Sequence, residues 1–130
     1  MASATSLRIG TSEEAAALFA PTFSHSGVEE LRVAHLDDRR CLIALRIHGG
    51  DHPEHLELPL QQIASEALML RSRGLLIAHN HPSGDPTPSR SDIAATRELA
   101  ELATRLDIRV YDHLIFARGG WRSLLALGLI

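Results

Sequence analysis

His79-Asn80-His81-Pro82, followed by Ser89 and Asp92, is the stretch whose residue types and spacing are suited to chemistry. His79 and His81 close an apolar run, Leu75-Leu76-Ile77-Ala78, that reads as a buried strand. Alternate strand residues point the same way, so both imidazoles can converge on one ion. Pro82-Ser83-Gly84-Asp85-Pro86-Thr87-Pro88 then enforces a turn-rich loop, and Ser89-Arg90-Ser91-Asp92 opens a helix able to bring the Asp92 carboxylate back over the strand end. Two histidines and one carboxylate make a three-ligand zinc set with the fourth position left for water. Ser89-x-x-Asp92 is also a capping-box match. The two readings are compatible, because a carboxylate in the first helical turn has a fixed direction.

His-x-His, seven residues, Ser, two residues, Asp resembles the spacing of the JAMM (MPN-plus) metallohydrolases. The wording His79-Asn80-His81-Pro82-Ser83-Gly84-Asp85, with Thr96 and Asp112-His113 downstream, is similar to the RadC branch of that group, over roughly residues 28 to 124. The resemblance implies a cytidine-deaminase-like (JAB/MPN) α/β fold of three layers, a mixed sheet flanked by helices. It implies zinc held by His79, His81 and Asp92. It also implies a glutamate ahead of an early strand, the place Glu29 occupies, with Glu30 one residue away as the alternative. That glutamate would hold the attacking water, take its proton and pass it to the leaving nitrogen. Ser89 would donate a hydrogen bond to the oxyanion forming on the substrate carbonyl. Asn80 stands where eukaryotic deubiquitinases of the group commonly carry Ser or Thr, and it reads as fixing loop geometry. His113 matches a recurrent RadC-type feature suited to supporting a ligand or touching substrate, although its context is that of an ordinary strand histidine.

The implied reaction is hydrolysis of amide or isopeptide bonds in an unknown peptide or protein substrate. Two alternatives stand beside it. A metal-dependent DNA-processing factor of RadC type would need a local basic groove, which Arg39, Arg40, Arg71, Arg73, Arg90, Arg97, Arg105 and Arg109 would have to build by clustering in space. Many RadC-type proteins also carry an N-terminal helix-hairpin-helix region, for which the 28 residues before Glu29 are too few. A non-catalytic interaction module is the other alternative, but such members of the group typically lose ligand residues, and this chain keeps them all.

At 130 residues with 45% hydrophobic content, one compact domain is expected. A formal charge of −3 provides no basic field for phosphate backbones, so bulk charge does not support a nucleic-acid partner. Cys41 is the single cysteine, which excludes an internal disulfide and the paired thiolates of a zinc finger, and suggests a reducing compartment. No run approaches the roughly 18 apolar residues of a membrane span, and the N-terminus lacks a secretory pattern. The expectation is a cytoplasmic protein away from membranes, of open oligomeric state.

The elements that must position the motif follow from periodicity. Thr11-Ser12-Glu13-Glu14 reads as a capping box opening a helix through Ala20 that Pro21 stops. Residues 30 to 36 and 41 to 48 read as strands joined by Asp37-Asp38-Arg39-Arg40, with a short strand at 55 to 58. Pro59 suits a helix start, Leu60, Ile63, Ala64, Ala67, Leu68 and Leu70 form an apolar stripe, and Gly74 ends that helix. A strand at 75 to 79 leads into the motif. A helix from about 89 to 106 turns Ile93, Leu99, Ala100, Ala103 and Leu106 inward, before a strand at 108 to 117, a Gly119-Gly120 turn and a final apolar segment from Trp121 to Ile130. Trp121 reads as a core or interface anchor. The first residues are expected to be disordered, and His48, His52 and His55 to be solvent-exposed.

Other zinc and nuclease chemistries fail on composition. Nucleoside deaminases need a Pro-Cys-x-x-Cys pair, and Cys41 stands alone. Zincins need His-Glu-x-x-His on a helix, which is absent. HNH nucleases spread their residues over a longer ββα unit, so the contiguous His-Asn-His is coincidental.

Overall fold

The computed structural model describes residues 6–23, 27–49 and 58–130. The first five residues, His52, His55 and the strand expected at 55 to 58, apart from Leu58, lie outside the described residues.

Helix α1, Ser12–Phe19, begins where the capping signal places it: Thr11 Oγ1 accepts from the Glu14 N–H at 3.0 Å, and Glu14 Oε1 accepts from the Gly10 N–H at 2.7 Å. Pro21 does not end the chain's helical path outright, since Ala20–Thr22 continues as one 3-10 turn. Strands β1, Leu31–Leu36, and β2, Leu42–His48, form the expected antiparallel hairpin. His48, expected in a solvent-exposed loop, is instead the last residue of β2 and is buried, with Nε2 3.4 Å from Glu66.

Helix α2, Leu60–Met69, buries Ile63 and Ala67. It ends earlier than expected, at Met69, and Arg71, with a φ of 56°, turns the chain out of the helical path. Gly74 has a different task. It opens β3, Gly74–Asn80, at a point where a Cβ would collide with the Tyr111 ring. Helix α3 spans Arg90–Arg105, β4 Arg109–Ala117 and β5 Gly120–Ser123. The final segment is not uniformly apolar packing: Leu124 is buried, but Leu125 and Leu127 are about half exposed.

The five strands lie in the order β2-β1-β3-β4-β5. Among the described residues only β3 and β4 run parallel, with α3 as their connection, so the sheet is mixed. Helices cover both faces. Leu31, Val33, Leu75 and Ile77 meet Ile63, Ala67, Leu99 and Ala103 from α2 and α3 on one face. Ala34, Leu36, Leu76, Ala78 and Leu114 meet Ala15, Ala16 and Phe19 from α1 on the other. Trp121 packs against this second cluster. The expected three-layer α/β arrangement is therefore present, with β3 buried along its whole length. Among the described residues, no helix is long and apolar enough to cross a membrane.

Candidate metal centre

Residues on the α2/α3 face of the sheet and beyond its edge build one polar centre at the C-terminal end of β3. Leu31 pairs directly with His79, so the odd-numbered residues of β1 and β3 share that face. His81 follows His79 on the same parity, just past the strand, where its backbone N–H donates to the Phe116 carbonyl at 2.7 Å. Glu29 precedes Leu31 by two and takes the same side. Ligand atoms of Glu29, His79 and His81 all lie within 4.8 Å of one another. Glu30 points the opposite way, its carboxylate 3.4 Å from the Arg32 guanidinium.

The helix supplies the fourth member. Ser89 caps α3, its Oγ accepting from the Asp92 N–H at 3.0 Å while Asp92 Oδ2 accepts from the Ser89 N–H at 2.8 Å. This reciprocal box holds the Asp92 carboxylate in one direction. Its Oδ1 lies 3.3 Å from His79 Nε2 and its Oδ2 3.1 Å from His81 Nε2. Each histidine nitrogen thus faces its own oxygen of the same carboxylate.

Electrostatics point the same way. Burial works to raise the Asp92 pKa, but the adjoining His79 and His81 rings and the Ser89 N–H prevail and hold it well below the usual carboxylate range. Burial lowers the His79 pKa against the pull of Asp92. For His81, burial is outweighed by Asp92, the Asp85 carbonyl and the Glu29 charge, and its pKa is raised. Because a carbonyl only accepts, His81 Nδ1 donates to Asp85 O at 2.8 Å, which directs Nε2 at the carboxylate.

His79 Nε2 is buried and makes no hydrogen bond, although it lies 3.3 Å from Asp92 Oδ1. A buried imidazole nitrogen that faces an ionised carboxylate without a hydrogen bond is suited to a positive charge placed between them. The donor set of imidazoles and carboxylates is one that zinc accepts, as would other divalent ions of similar chemistry. The residues present therefore fit a metal, and His79, His81, Asp92 and Glu29 are the ones able to hold it or the water beside it.

Behind the ligand atoms stands a buried relay. His79 Nδ1 is 2.6 Å from His113 Nε2, and His113 Nδ1 is 2.6 Å from Thr96 Oγ1. Thr96 and Asp92 share the buried stripe of α3 with Leu99 and Ala103, whereas Ile93, Ala100 and Leu106, expected inward, are only partly buried. Reading the stripe as purely apolar misses Thr96. Its signal is its position four residues after Asp92, one turn along the same helix face. Asp112, next to His113 in sequence, points to the opposite face and accepts hydrogen bonds from Ser12, Ser123, the His113 N–H and the Leu125 N–H.

Most of the eight arginines named for a basic groove lie away from this centre. Gly74 pairs with Leu36 at the end of β1 and with Arg109 at the start of β4, so the far end of the sheet carries Arg39, Arg40, Arg71, Arg73, Arg105 and Arg109. Arg40 and Arg109 both stack on Tyr111 there. Of the eight arginines named for a basic groove, Arg90 and Arg97 alone lie on α3 short of its last turn. Against known proteins, the family model described as the RadC-like JAB domain matches residues 9–129.

Proposed function

The chain belongs to the RadC-like JAB domain family, and from that premise we propose that it is a zinc-dependent hydrolase of JAMM type, cleaving amide or isopeptide bonds in a peptide or protein substrate. The observation that carries the reading is the buried His79 Nε2, which faces the Asp92 carboxylate at 3.3 Å without a hydrogen bond, beside His81 and Glu29. His79, His81 and Asp92 would hold the ion. When bound, zinc supplies Lewis acidity that polarises the scissile carbonyl and acidifies water.

The chain's own groups do the rest. Glu29 orients the attacking water, accepts its proton and delivers it to the departing nitrogen. Ser89 uses an oxygen lone pair to cap α3 and lies 3.0 Å from Ser91 Oγ; with Ser91 as the donor of that contact, the Ser89 hydroxyl hydrogen is donated to the carbonyl oxygen as negative charge develops. The centre opens where α3 begins, since Ser89 is exposed there. A single domain in the cytoplasm, with a nucleic-acid partner unsupported by the net charge, completes the proposal. Six of the eight arginines named for a basic groove lie toward the opposite end of the sheet, which does not favour a phosphate backbone at this centre.

Purified protein assayed with unmodified peptides, isopeptide-linked peptides and single- and double-stranded DNA, before and after chelation and zinc return, tests the reading. The expected result is zinc-restorable cleavage of an amide or isopeptide substrate, together with about one zinc per chain that His81→Ala no longer retains. Cleavage of DNA alone, or absence of zinc uptake by the unmodified chain, would overturn it.

A further inference from the structure

The relay behind His79 has a direction, and hydrogen-bond stoichiometry sets it. Thr96 Oγ1 lies 2.6 Å from the backbone carbonyl of Asp92 and 2.6 Å from His113 Nδ1. A carbonyl only accepts, so the one hydroxyl hydrogen goes to Asp92 and the Thr96 oxygen is left as an acceptor. His113 Nδ1 must then carry a hydrogen and donate it. The ring is fully buried with a threonine and a histidine as partners, which favours its neutral form and leaves Nε2 as a lone pair. That lone pair, 2.6 Å from His79 Nδ1, accepts the hydrogen there. His79 is thereby the Nδ1–H tautomer, with Nε2 bare and directed at Asp92 Oδ1.

The opposite direction would also satisfy the chain of contacts but fails at its end. Turning the Thr96 hydroxyl toward His113 would put a hydrogen on His113 Nε2, and then on His79 Nε2, where it would block ligation. What selects between the two is the Asp92 carbonyl, one helical turn before Thr96 in the position that a threonine hydroxyl reaches within a helix.

Resting on the metal-centre reading above, we propose that Thr96 and His113 are positioning residues that lock His79 in the Nδ1–H tautomer, so that its Nε2 is presented as a ready ligand. The turn of α3 that carries one ligand, Asp92, thus dictates where the proton sits on another ligand 13 residues earlier in the chain. Neither Thr96 nor His113 touches the substrate in this scheme.

Nitrogen-15 NMR of the histidine rings in metal-free protein reads the tautomer directly, and competitive titration with zinc reads the affinity. The expected result is a His79 ring protonated on Nδ1 before any metal is added. Thr96→Val keeps the shape but removes the acceptor, and should weaken zinc binding by about 10- to 100-fold and mix the His79 tautomers. Thr96→Ser should restore both. Should the valine unsettle the helix, His113→Gln, whose side-chain oxygen can accept from His79 Nδ1, should retain more affinity than His113→Leu. A His79 ring protonated on Nε2 in metal-free protein, or zinc affinity equal in Thr96→Val and the unmodified chain, would overturn the lock. Nδ1 protonation without zinc uptake by the unmodified chain would instead leave the lock standing and sink the hydrolase reading.

Discussion

The side-chain oxygen of Asn80 accepts a hydrogen bond from the Glu30 backbone N–H at 2.5 Å, and its amide nitrogen donates to the Val28 carbonyl at 3.2 Å. One side chain at the end of β3 therefore grips the peptide on both sides of Glu29. That grip fixes which glutamate faces the two histidines, and it gives Asn80 a definite task in place of a general influence on the loop. Asn80→Ala removes both bonds. The expected outcome is faster hydrogen exchange at the Glu30 amide, unchanged zinc content and a fall in turnover of about 100-fold, the scale on which a displacement of ~1 Å at a reacting group is felt. Unaltered exchange at Glu30 would show that the segment is held by other means.

The register also separates two adjacent carboxylates by role. Glu29→Gln keeps shape and hydrogen bonding but loses the basic oxygen, so zinc content should persist while hydrolysis falls by ~10²- to 10⁴-fold. Glu30→Gln loosens only a contact with Arg32 and should turn over at near the normal rate. Parallel measurement of bound zinc and rate in the two variants checks the assignment. Equal and normal rates in both would remove a glutamate base from the mechanism.

Much of this centre is legible in the sequence because its signals are local. The His79-x-His81 alternation and the Ser89-x-x-Asp92 box each encode geometry within a few residues, and the structure brings the four together. The choice of Glu29 over Glu30 is not legible in the same way. It depends on Leu31 standing opposite His79 and on the Asn80 grip, both made across about 50 residues of sequence. Asp112-His113 reads as one motif, yet a strand turns adjacent side chains to opposite faces, and the pair divides between the α1 side and the candidate centre. Thr96 is visible as a residue but not as a buried one, because an apolar-stripe reading has no place for a hydroxyl that answers a histidine on another strand. The end of α2 departs from its expected place for a related reason. A left-handed turn falls on Arg71, and the more permissive Gly74 is needed where Tyr111 crowds the backbone.

Asp112 serves the fold where His113 serves the site. Its buried carboxylate accepts from the hydroxyls of Ser12 and Ser123 and from the backbone N–H groups of His113 and Leu125, joining α1, β4, β5 and the segment after β5. Asp112→Ala leaves those donors without their acceptor, the Ser123 hydroxyl and the His113 N–H in buried surroundings. A loss on the order of 3 kcal/mol is expected, seen as a Tm lowered by roughly 10 °C. Asp112→Asn keeps an acceptor and should lose less. Urea unfolding of the three proteins measures the difference, and an alanine variant as stable as the unmodified chain would mean the donors find other partners.

His35 should make the fold sensitive to acid. It is fully buried on β1, with Nδ1 2.8 Å from Ser72 Oγ, and its pKa is lowered to about 4 by burial first, then by the Arg46 guanidinium and His48 on β2. The unfolded chain would titrate this ring at its ordinary value near 6.5. Above that pH the ring is neutral in both states and contributes no pH dependence. As pH falls from 6.5 toward 4 the unfolded state takes up the proton and the folded state does not, so stability declines across that window. A tenfold difference in proton affinity is worth about 1.4 kcal/mol, which places the largest loss at about 3 kcal/mol. Other buried histidines titrate too, so the informative quantity is a difference. His35→Gln preserves a partner for Ser72 without a titrating ring, and its unfolding free energy should decline less steeply between pH 6.5 and 4 than that of the unmodified chain. Parallel declines in the two proteins would assign the acid sensitivity to groups other than His35.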